Sequence, residues 1–262
     1  MIILNLVHLW LLLFSANFTN PKPPVTSWKL IFSDEFKTKG NFDSKKWSYA
    51  TRGNAAWTRY LTSSPDYVYQ KKGNLVVRMD NKAIAGDNIP YHSGGINTSG
   101  KFSFLYGKVE VRAKFKGGKG SWPAIWMMPE HPAAYGGWPA SGEIDIMEQV
   151  NNEKVVHQTV HGAALTKKDG ASEATKSSPY KADDYNIYGI VWDESKIEFY
   201  VNKVLTYTYT KPENATSQVW PFDKPYYLIL NQAGGAGWPG PITDADLPFD
   251  MKVDWVRVYQ AR

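Results

Sequence analysis

The chain has 262 residues with a formal net charge of +5 at pH 7, and 43% of its residues are hydrophobic and 21% charged. These proportions are typical of a globular protein and exclude long disorder, and the length suits one large all-β domain or two small ones. The absence of cysteine excludes a thiolate nucleophile and a cysteine-ligated metal, while scattered Lys and Arg favour a solvated surface over a nucleic-acid footprint.

The first predicted element is a secretion signal. Residues 2–14 are almost wholly apolar, and small residues up to Ala16 precede a polar, proline-rich stretch. The run is typical of a signal-peptide core and too short to span a bilayer, although no Lys or Arg precedes it and a buried strand or helix is the alternative. We predict a signal peptide at 1–16, a Pro-rich linker at 17–27 and a catalytic domain at 28–262, in a secreted or periplasmic protein.

The rest of the chain carries the pattern of an all-β protein. Apolar and polar residues alternate with period two in many segments, and glycine and proline separate them. Asn202 and Lys203 predict a tight hairpin turn, and the polar segment 163–184 predicts a long surface loop. These patterns predict a sandwich of antiparallel sheets. The predicted strands are 28–32, 74–80, 108–115, 122–128, 142–150, 155–161, 187–192, 196–201, 205–210, 226–231 and 252–260.

The segment 141–150 carries the residues with the clearest chemistry. Acidic residues are depleted in strands, yet Glu143, Asp145 and Glu148 occur here among Ile, Met and Val. In a regular strand Glu143 and Asp145 share a face, but strict alternation would place Glu148 on the other one. We therefore predict a β-bulge at 146–147, which returns Glu148 to the face of Glu143.

This arrangement suits the cleavage of glycosidic bonds. With the bulge, the Cα atoms of Glu143 and Glu148 would lie roughly 13 Å apart, at about 3.3 Å per residue. Side chains that lean together could bring the carboxyls to the ~5–5.5 Å of a retaining mechanism. Asp145 between them would bond one carboxylate and raise a neighbour's pKa. A solvated polar face is the alternative, but three acids without a matching cation would repel one another.

Residues 143–148, Glu-Ile-Asp-Ile-Met-Glu, match the Glu-x-Asp-x-x-Glu signature of glycoside hydrolase family 16 in its bulged, laminarinase-like form. The flanking segments that match are 106–114, 122–129 and 251–259. The chain thus resembles this family from about residue 28 to 259. The resemblance implies an all-β fold, a β-jelly-roll sandwich of two antiparallel sheets with a concave substrate cleft.

The same resemblance implies an activity. Glu143 would be the nucleophile, Glu148 the acid/base and Asp145 an assisting residue. The expected enzyme is a retaining endo-β-glucanase that hydrolyses β-1,3- or mixed-linkage β-1,3/1,4-glucans by double displacement. Its expected partner is a β-glucan polysaccharide or oligosaccharide, with no nucleic acid, no membrane in the mature form and a monomeric state.

Further substrate-binding residues follow from the resemblance. Trp138 would form the floor of the subsite next to the cleaved bond. Trp122 would form a second wall of the cleft, with a position in the core as its alternative. His161 would lie near the acid/base, whereas we expect Trp126 behind the sheet. His157 is open between a structural and a functional role, and its spacing to His161 on a strand excludes a zinc site.

Two loops that would line the same cleft depart from the family pattern. Asn54 resembles a substrate-binding asparagine, but the loop that follows it lacks the common Glu-x-Gln-Tyr-Tyr pattern. Asn231 and Gln232 resemble a cleft-lining pair, although family members often read Asn-Leu-Ala there. These differences leave the linkage preference open.

No cofactor is expected for catalysis. The family often carries a structural calcium, and the resemblance implies a site formed by backbone oxygens of Glu35 and Gly73 and the side chain of Asp254. Oxygen ligands suit calcium, and the role would be structural.

Three alternatives to a glucanase stay open. A galactan hydrolase of the agarose or carrageenan type shares the acid signature, and a cleft lined by cations such as Arg52 and Arg59 would favour it over a Trp-lined cleft. Aromatic residues form 15% of the chain, which suits sugar binding but also β-strands, so a non-catalytic polysaccharide-binding module is the second. Transglycosylation is the third, because it shares the covalent intermediate with hydrolysis.

Overall fold

A computed structural model describes residues 27–262, so the predicted signal peptide and nearly all of the predicted linker lie outside the described residues. The described part contains strands and three short 3-10 helices, at Ala56–Thr58, Pro132–Tyr135 and Asp244–Asp246. None of its helices has the length and hydropathy needed to cross a membrane. The strands are β1 (Trp28–Asp34), β2 (Ser48–Tyr49), β3 (Val68–Lys71), β4 (Asn74–Asp80), β5 (His92–Ser93), β6 (Gly95–Asn97), β7 (Gly107–Phe115), β8 (Ser121–Pro129), β9 (Glu143–Glu148), β10 (Val155–His161), β11 (Thr175–Pro179), β12 (Asn186–Trp192), β13 (Lys196–Val201), β14 (Val204–Thr210), β15 (Tyr226–Gly234) and β16 (Phe249–Ala261).

The strands form two antiparallel sheets. The nine-stranded sheet has the order β14-β13-β12-β7-β16-β4-β3, with β1 paired to β16 and β5 to β4. The seven-stranded sheet has the order β11-β10-β9-β8-β15-β6-β2. The predicted all-β jelly-roll sandwich is therefore confirmed.

The core lies between the two sheets and follows from the period-two patterns. In β7 every second residue is buried, and charged residues occupy the positions between. In the seven-stranded sheet, Ile125, Met127 and Ile144 point into this core. The alternate residues of β8, β9, β10 and β15 therefore form the opposite face of that sheet, which we call the cleft face.

The predicted strands are all present, with ends that differ by a few residues. Asn202 and Lys203 have φ of 53° and 68°, as a two-residue hairpin turn of this type requires. The predicted loop 163–184 contains β11, which pairs with β10 at a sheet edge and buries only Ser178. An edge strand without an apolar face has no alternating pattern by which the sequence could reveal it.

Candidate active site

The predicted bulge is present in β9. Towards β8, Met147 pairs with Ile125 and Asp145 pairs with Trp126, so Ile146 has no partner of its own. Ile146 and Met147 are both fully buried in the core, as two consecutive residues of a bulge can be. The extra residue returns the next side chain, that of Glu148, to the cleft face.

A sharp turn leads into this strand. Gly142, immediately before Glu143, has a φ of +87°, and a side chain at this position would overlap the hydroxyl of Tyr226 and the ring of Pro221. Only glycine combines this backbone conformation with such a close approach. The turn thus fixes where β9 begins and where Glu143 stands.

The three acids lie side by side in a nearly closed environment. The side chain of Asp145 is 1% exposed and that of Glu143 is 15% exposed. Burial raises the pKa of Glu143 well above its ordinary value, and the charge of Asp145 raises it further. Burial also raises the pKa of Asp145 well above its ordinary value, and the charge of Glu148 raises it further. The cluster therefore retains protons at a pH where isolated carboxyls are ionised.

Trp122 contacts the third acid directly. Its indole N–H donates a hydrogen bond of 2.9 Å to Oε1 of Glu148. Burial raises the pKa of Glu148, whereas this hydrogen bond and the nearby His161 act to lower it. Trp122 thus lies on the cleft face, as predicted for a wall, and not in the core.

His161 faces the other two acids. Its Nε2 lies 3.2 Å from Oδ2 of Asp145 and 3.9 Å from Oε1 of Glu143, and its Nδ1 lies 3.1 Å from the hydroxyl of Thr166. Oδ2 of Asp145 makes no aligned hydrogen bond, so the contact with His161 is electrostatic. His161 was expected near Glu148, but its closest acids are Asp145 and Glu143. The exposed ring of Trp138 stands 5.8 Å from the His161 ring.

Glu143, Asp145 and His161 form a group that could hold a metal ion, since their ligand atoms lie within 4.8 Å of one another. The same three residues are among those for which the sequence predicts chemistry on a glycosidic bond.

The expectation for Trp126 is wrong. Trp126 pairs with Asp145 and lies on the cleft face, where it packs edge to face against Trp57 with ring centroids 4.8 Å apart. Its indole N–H donates a 2.7 Å hydrogen bond to the side chain of Asn231. Asn231 is therefore on the predicted face, but it is 1% exposed and supports Trp126 from below.

The prediction for Gln232 is also wrong. β15 pairs with β8 without a register shift, so Asn231 and Gln232 point to opposite faces of the sheet. Gln232 is fully buried, and its side-chain amide donates to the hydroxyl of Ser121 and the carbonyl of Ala233. It does not line the cleft.

The early loop covers part of the cleft face. Asn54 is exposed, and the structure shows no side-chain partner for it among the described residues. Ala56 packs against Gly237 next to the ring of Trp122. Residues three apart lie on the same side of a 3-10 helix, so Arg59 lies on the same side as Ala56.

The two arginines flagged in the sequence differ in their surroundings. Arg59 has an exposed side chain with no hydrogen-bond or ion-pair partner in the described part of the chain. Arg52 donates a 2.9 Å hydrogen bond to the carbonyl of Leu61 and forms a two-point ion pair with Asp87. Only Arg59 of this pair is therefore available to a ligand.

Trp238 is a cleft residue that the sequence analysis missed. It is 50% exposed and stands edge to face against Trp122, with centroids 6.1 Å apart. His157 supports it at 4.8 Å and is itself held by Glu153, 2.6 Å from Nε2, and by Ser177, 3.2 Å from Nδ1. A tryptophan in a glycine-rich loop was the available signal, and His157 supports this wall.

The residues expected to bind calcium do not fit a metal ion. The carboxylate of Asp254 lies 3.4 Å from Nζ of Lys37 and 2.5 Å from the guanidinium of Arg112. Nζ of Lys37 also lies beside Gly73, while the carboxylate of Glu35 forms a two-point pair with Arg257. Two protein cations thus neutralise the only expected carboxylate ligand.

Comparisons with known proteins agree with this geometry. The model of the family "Glycosyl hydrolases family 16" matches residues 56–257. A keratan-sulfate endo-1,4-beta-galactosidase of Sphingobacterium multivorum is 60% identical over 235 residues, which cover 90% of this chain and 56% of that protein. Glucan endo-1,3-beta-glucosidase A1 of Niallia circulans is 35% identical over 272 residues, which cover 92% of this chain and 39% of that protein. The chain thus spans about half or less of these two relatives.

A solved structure gives the same result. A mutant of SCLam, described as a non-specific endo-beta-1,3(4)-glucanase from family GH16, aligns with a TM-score of 0.80 and 36% identity, covering 90% of this chain and 95% of that one. That crystal contains 1,3-beta-D-cellobiosyl-glucose at its active site.

Proposed function

Because the chain belongs to glycosyl hydrolase family 16, we propose that it is a retaining endo-β-galactanase that cleaves internal β-1,4-galactosidic bonds of keratan-type polysaccharides. One observation carries the choice of substrate: the 60% identity to a keratan-sulfate endo-1,4-beta-galactosidase, maintained over 90% of the chain. The glucan endo-1,3-beta-glucosidase of Niallia circulans is much less similar, at 35% identity over 92% of this chain.

The free cation at the cleft supports an anionic substrate. Keratan sulfate carries sulfate groups, and an exposed guanidinium binds such groups by charge and by paired N–H donors. Arg59 offers such a guanidinium at the end of the early 3-10 helix, on the side of Ala56, whereas Arg52 is already neutralised by Asp87. The basic net charge of +5 acts in the same direction.

The proposed mechanism is a double displacement. The carboxylate of Glu143 attacks the anomeric carbon while Glu148 donates its proton to the leaving glycosidic oxygen, which gives a covalent glycosyl-enzyme. A water molecule then attacks the same carbon, Glu148 takes its proton, and the bond to Glu143 breaks. Asp145 shares a hydrogen bond with Glu143, and His161, whose Nε2 lies 3.9 Å from Oε1 of Glu143, favours the ionised form that attacks.

A β-1,3(4)-glucanase is the second candidate. Trp122, Trp138 and Trp238 give the cleft exposed aromatic faces, which suit glucan rings and were the predicted sign of that substrate. The structural relative with a glucan oligosaccharide at its active site supports the same option.

The test is reducing-sugar release from keratan sulfate, desulfated keratan, laminarin, lichenan, agarose and carrageenan. We expect keratan sulfate to be hydrolysed fastest and Glu143→Gln to abolish release from every substrate. Preferred release from laminarin or lichenan would support the glucanase instead, and activity that survives in Glu143→Gln would reject the assigned nucleophile.

A matched pair of variants tests the role of charge. Arg59→Gln should lower kcat/KM on keratan sulfate by about 1.5- to 5-fold at low salt, the effect of one exposed ion pair, and should change desulfated keratan less. Arg52→Gln is the control, because Asp87 already engages that guanidinium. Equal effects of both variants on both substrates would contradict sulfate recognition by Arg59.

A further inference from the structure

A second cavity lies at the end of the acid strands. It has a volume of about 400 Å³, within the ~300–1,000 Å³ typical of small-molecule sites. We call it the end pocket; the lining residues that matter below are Tyr135, Ser217, Gln218, Asp223 and Lys224.

The end pocket is placed next to the acids by the strand pairing. Glu143 and His161 pair directly across β9 and β10. Ala140, three residues before Glu143, and Ala163, two residues after His161, both line the pocket. The pocket therefore begins where this strand pair ends.

An aromatic platform forms one wall of the pocket. Tyr135 is 44% exposed, and Nζ of Lys224 lies 4.7 Å from the centroid of its ring. Lys224 is itself buried and is held by the carbonyl of Pro221, so the cation braces the ring from a fixed position. A braced aromatic ring with an exposed face is suited to stacking against the C–H face of a sugar.

Polar groups without a partner surround this platform. The side chains of Ser217 and Gln218 are exposed and make no hydrogen bond within the described part of the chain. Asp223 lies 3.7 Å from Lys224 and is otherwise exposed. A hydroxyl, an amide and a carboxylate together offer both donors and acceptors to sugar hydroxyls.

We propose that the end pocket is a distal subsite that binds one saccharide unit of the substrate chain, with Tyr135 as its stacking platform and Ser217, Gln218 and Asp223 as hydrogen-bonding groups. The opposite charges of Asp223 and Lys224 cancel, so the end pocket suits an uncharged saccharide unit. The sulfated units of the same chain are those that we expect at Arg59. This inference rests on the proposed cleavage of a polysaccharide, because only a chain that continues past the acids reaches the pocket.

The experiment measures kcat/KM on oligosaccharides of increasing length. The ladder is prepared from desulfated keratan and, in parallel, from laminarin. In the native enzyme kcat/KM rises when the oligosaccharide becomes long enough to enter the end pocket. Tyr135→Ala should reduce that rise by about 2- to 12-fold, the range of a lost aromatic contact. Gln218→Ala, a milder change at an exposed position, should reduce it less.

Tyr200→Ala is the matched control, because Tyr200 is a partly exposed tyrosine on the nine-stranded sheet, away from the cleft face. A rise that persists unchanged in both Tyr135→Ala and Gln218→Ala would overturn the subsite. A loss of the same factor at every length would also overturn it, because it would indicate a structural role. If only the laminarin ladder is hydrolysed, the galactanase proposal is rejected, and the length dependence of kcat/KM on laminarin decides the subsite. If neither ladder is hydrolysed, both proposals are rejected.

Discussion

Replacing Trp122 by Phe removes one N–H donor from Glu148 and keeps an aromatic wall. A hydrogen bond to a charged group contributes about 1.5–3 kcal/mol, and this bond strengthens as Glu148 loses its proton to the leaving oxygen. We therefore expect kcat to fall by roughly 10- to 150-fold, with little change in KM. The bond lowers the pKa of Glu148, so its loss raises that pKa. Glu148 then stays protonated to higher pH, and the alkaline limb of activity moves upwards.

The assay is the pH profile of kcat/KM, which reports the free enzyme. Trp238→Phe is the matched control, since Trp238 stands against Trp122 in the same wall and its indole N–H has no acceptor among residues 27–262. The control can change KM but leaves the alkaline limb in place. An unmoved limb in Trp122→Phe, or the same shift in Trp238→Phe, would refute the reasoning.

Two further predictions concern Asp145 and the bulge. Asp145→Asn removes a charge that raises the pKa of Glu143, so that pKa falls and the acid limb of kcat/KM moves to lower pH; a shift to higher pH would contradict this. Met147→Ala opens a cavity in the core and should lower the free energy of unfolding by about 2–5 kcal/mol in urea titrations. Met128→Ala, on the cleft face, should cost less, and equal losses would contradict the position of Met147.

The position of the acids could be predicted because the period-two alternation of apolar and polar residues is interrupted within β9. Ile146 and Met147 are consecutive apolar residues, and a regular strand can bury only one of them. A bulge satisfies both and leaves Glu143 and Glu148 on one face. The pattern thus contained the physical constraint that fixes the site.

The two wrong predictions, for Trp126 and Gln232, did not apply this period-two alternation. Trp126 was expected behind the sheet, yet Ile125 and Met127 occupy the core positions on either side of it. Gln232 was paired with Asn231 by resemblance, although neighbours in a strand point to opposite faces. Strict alternation would have corrected both expectations.

Other features depend on contacts between distant segments and leave no local pattern. Trp238 reaches Trp122 and His157 only once the loop after β15 folds over the sheet. Lys37 reaches Asp254, which lies 217 positions further along the chain. Neither spacing is periodic, so tertiary structure alone reveals these contacts.

The acid strand and the sugar preference are determined in different parts of the molecule. The acids stand on β9 within a rigid sheet, and any β-glycosidic bond could be cleaved by the same carboxyls. The groups that we propose to distinguish one sugar from another lie on loops between the strands: Arg59 after the early 3-10 helix, Trp238 after β15 and Tyr135 before Trp138. A change of substrate within this fold therefore requires changes in these loops, not in β9. Exchanging the loops for those of a glucanase should alter the preferred polysaccharide while the dependence on Glu143 persists.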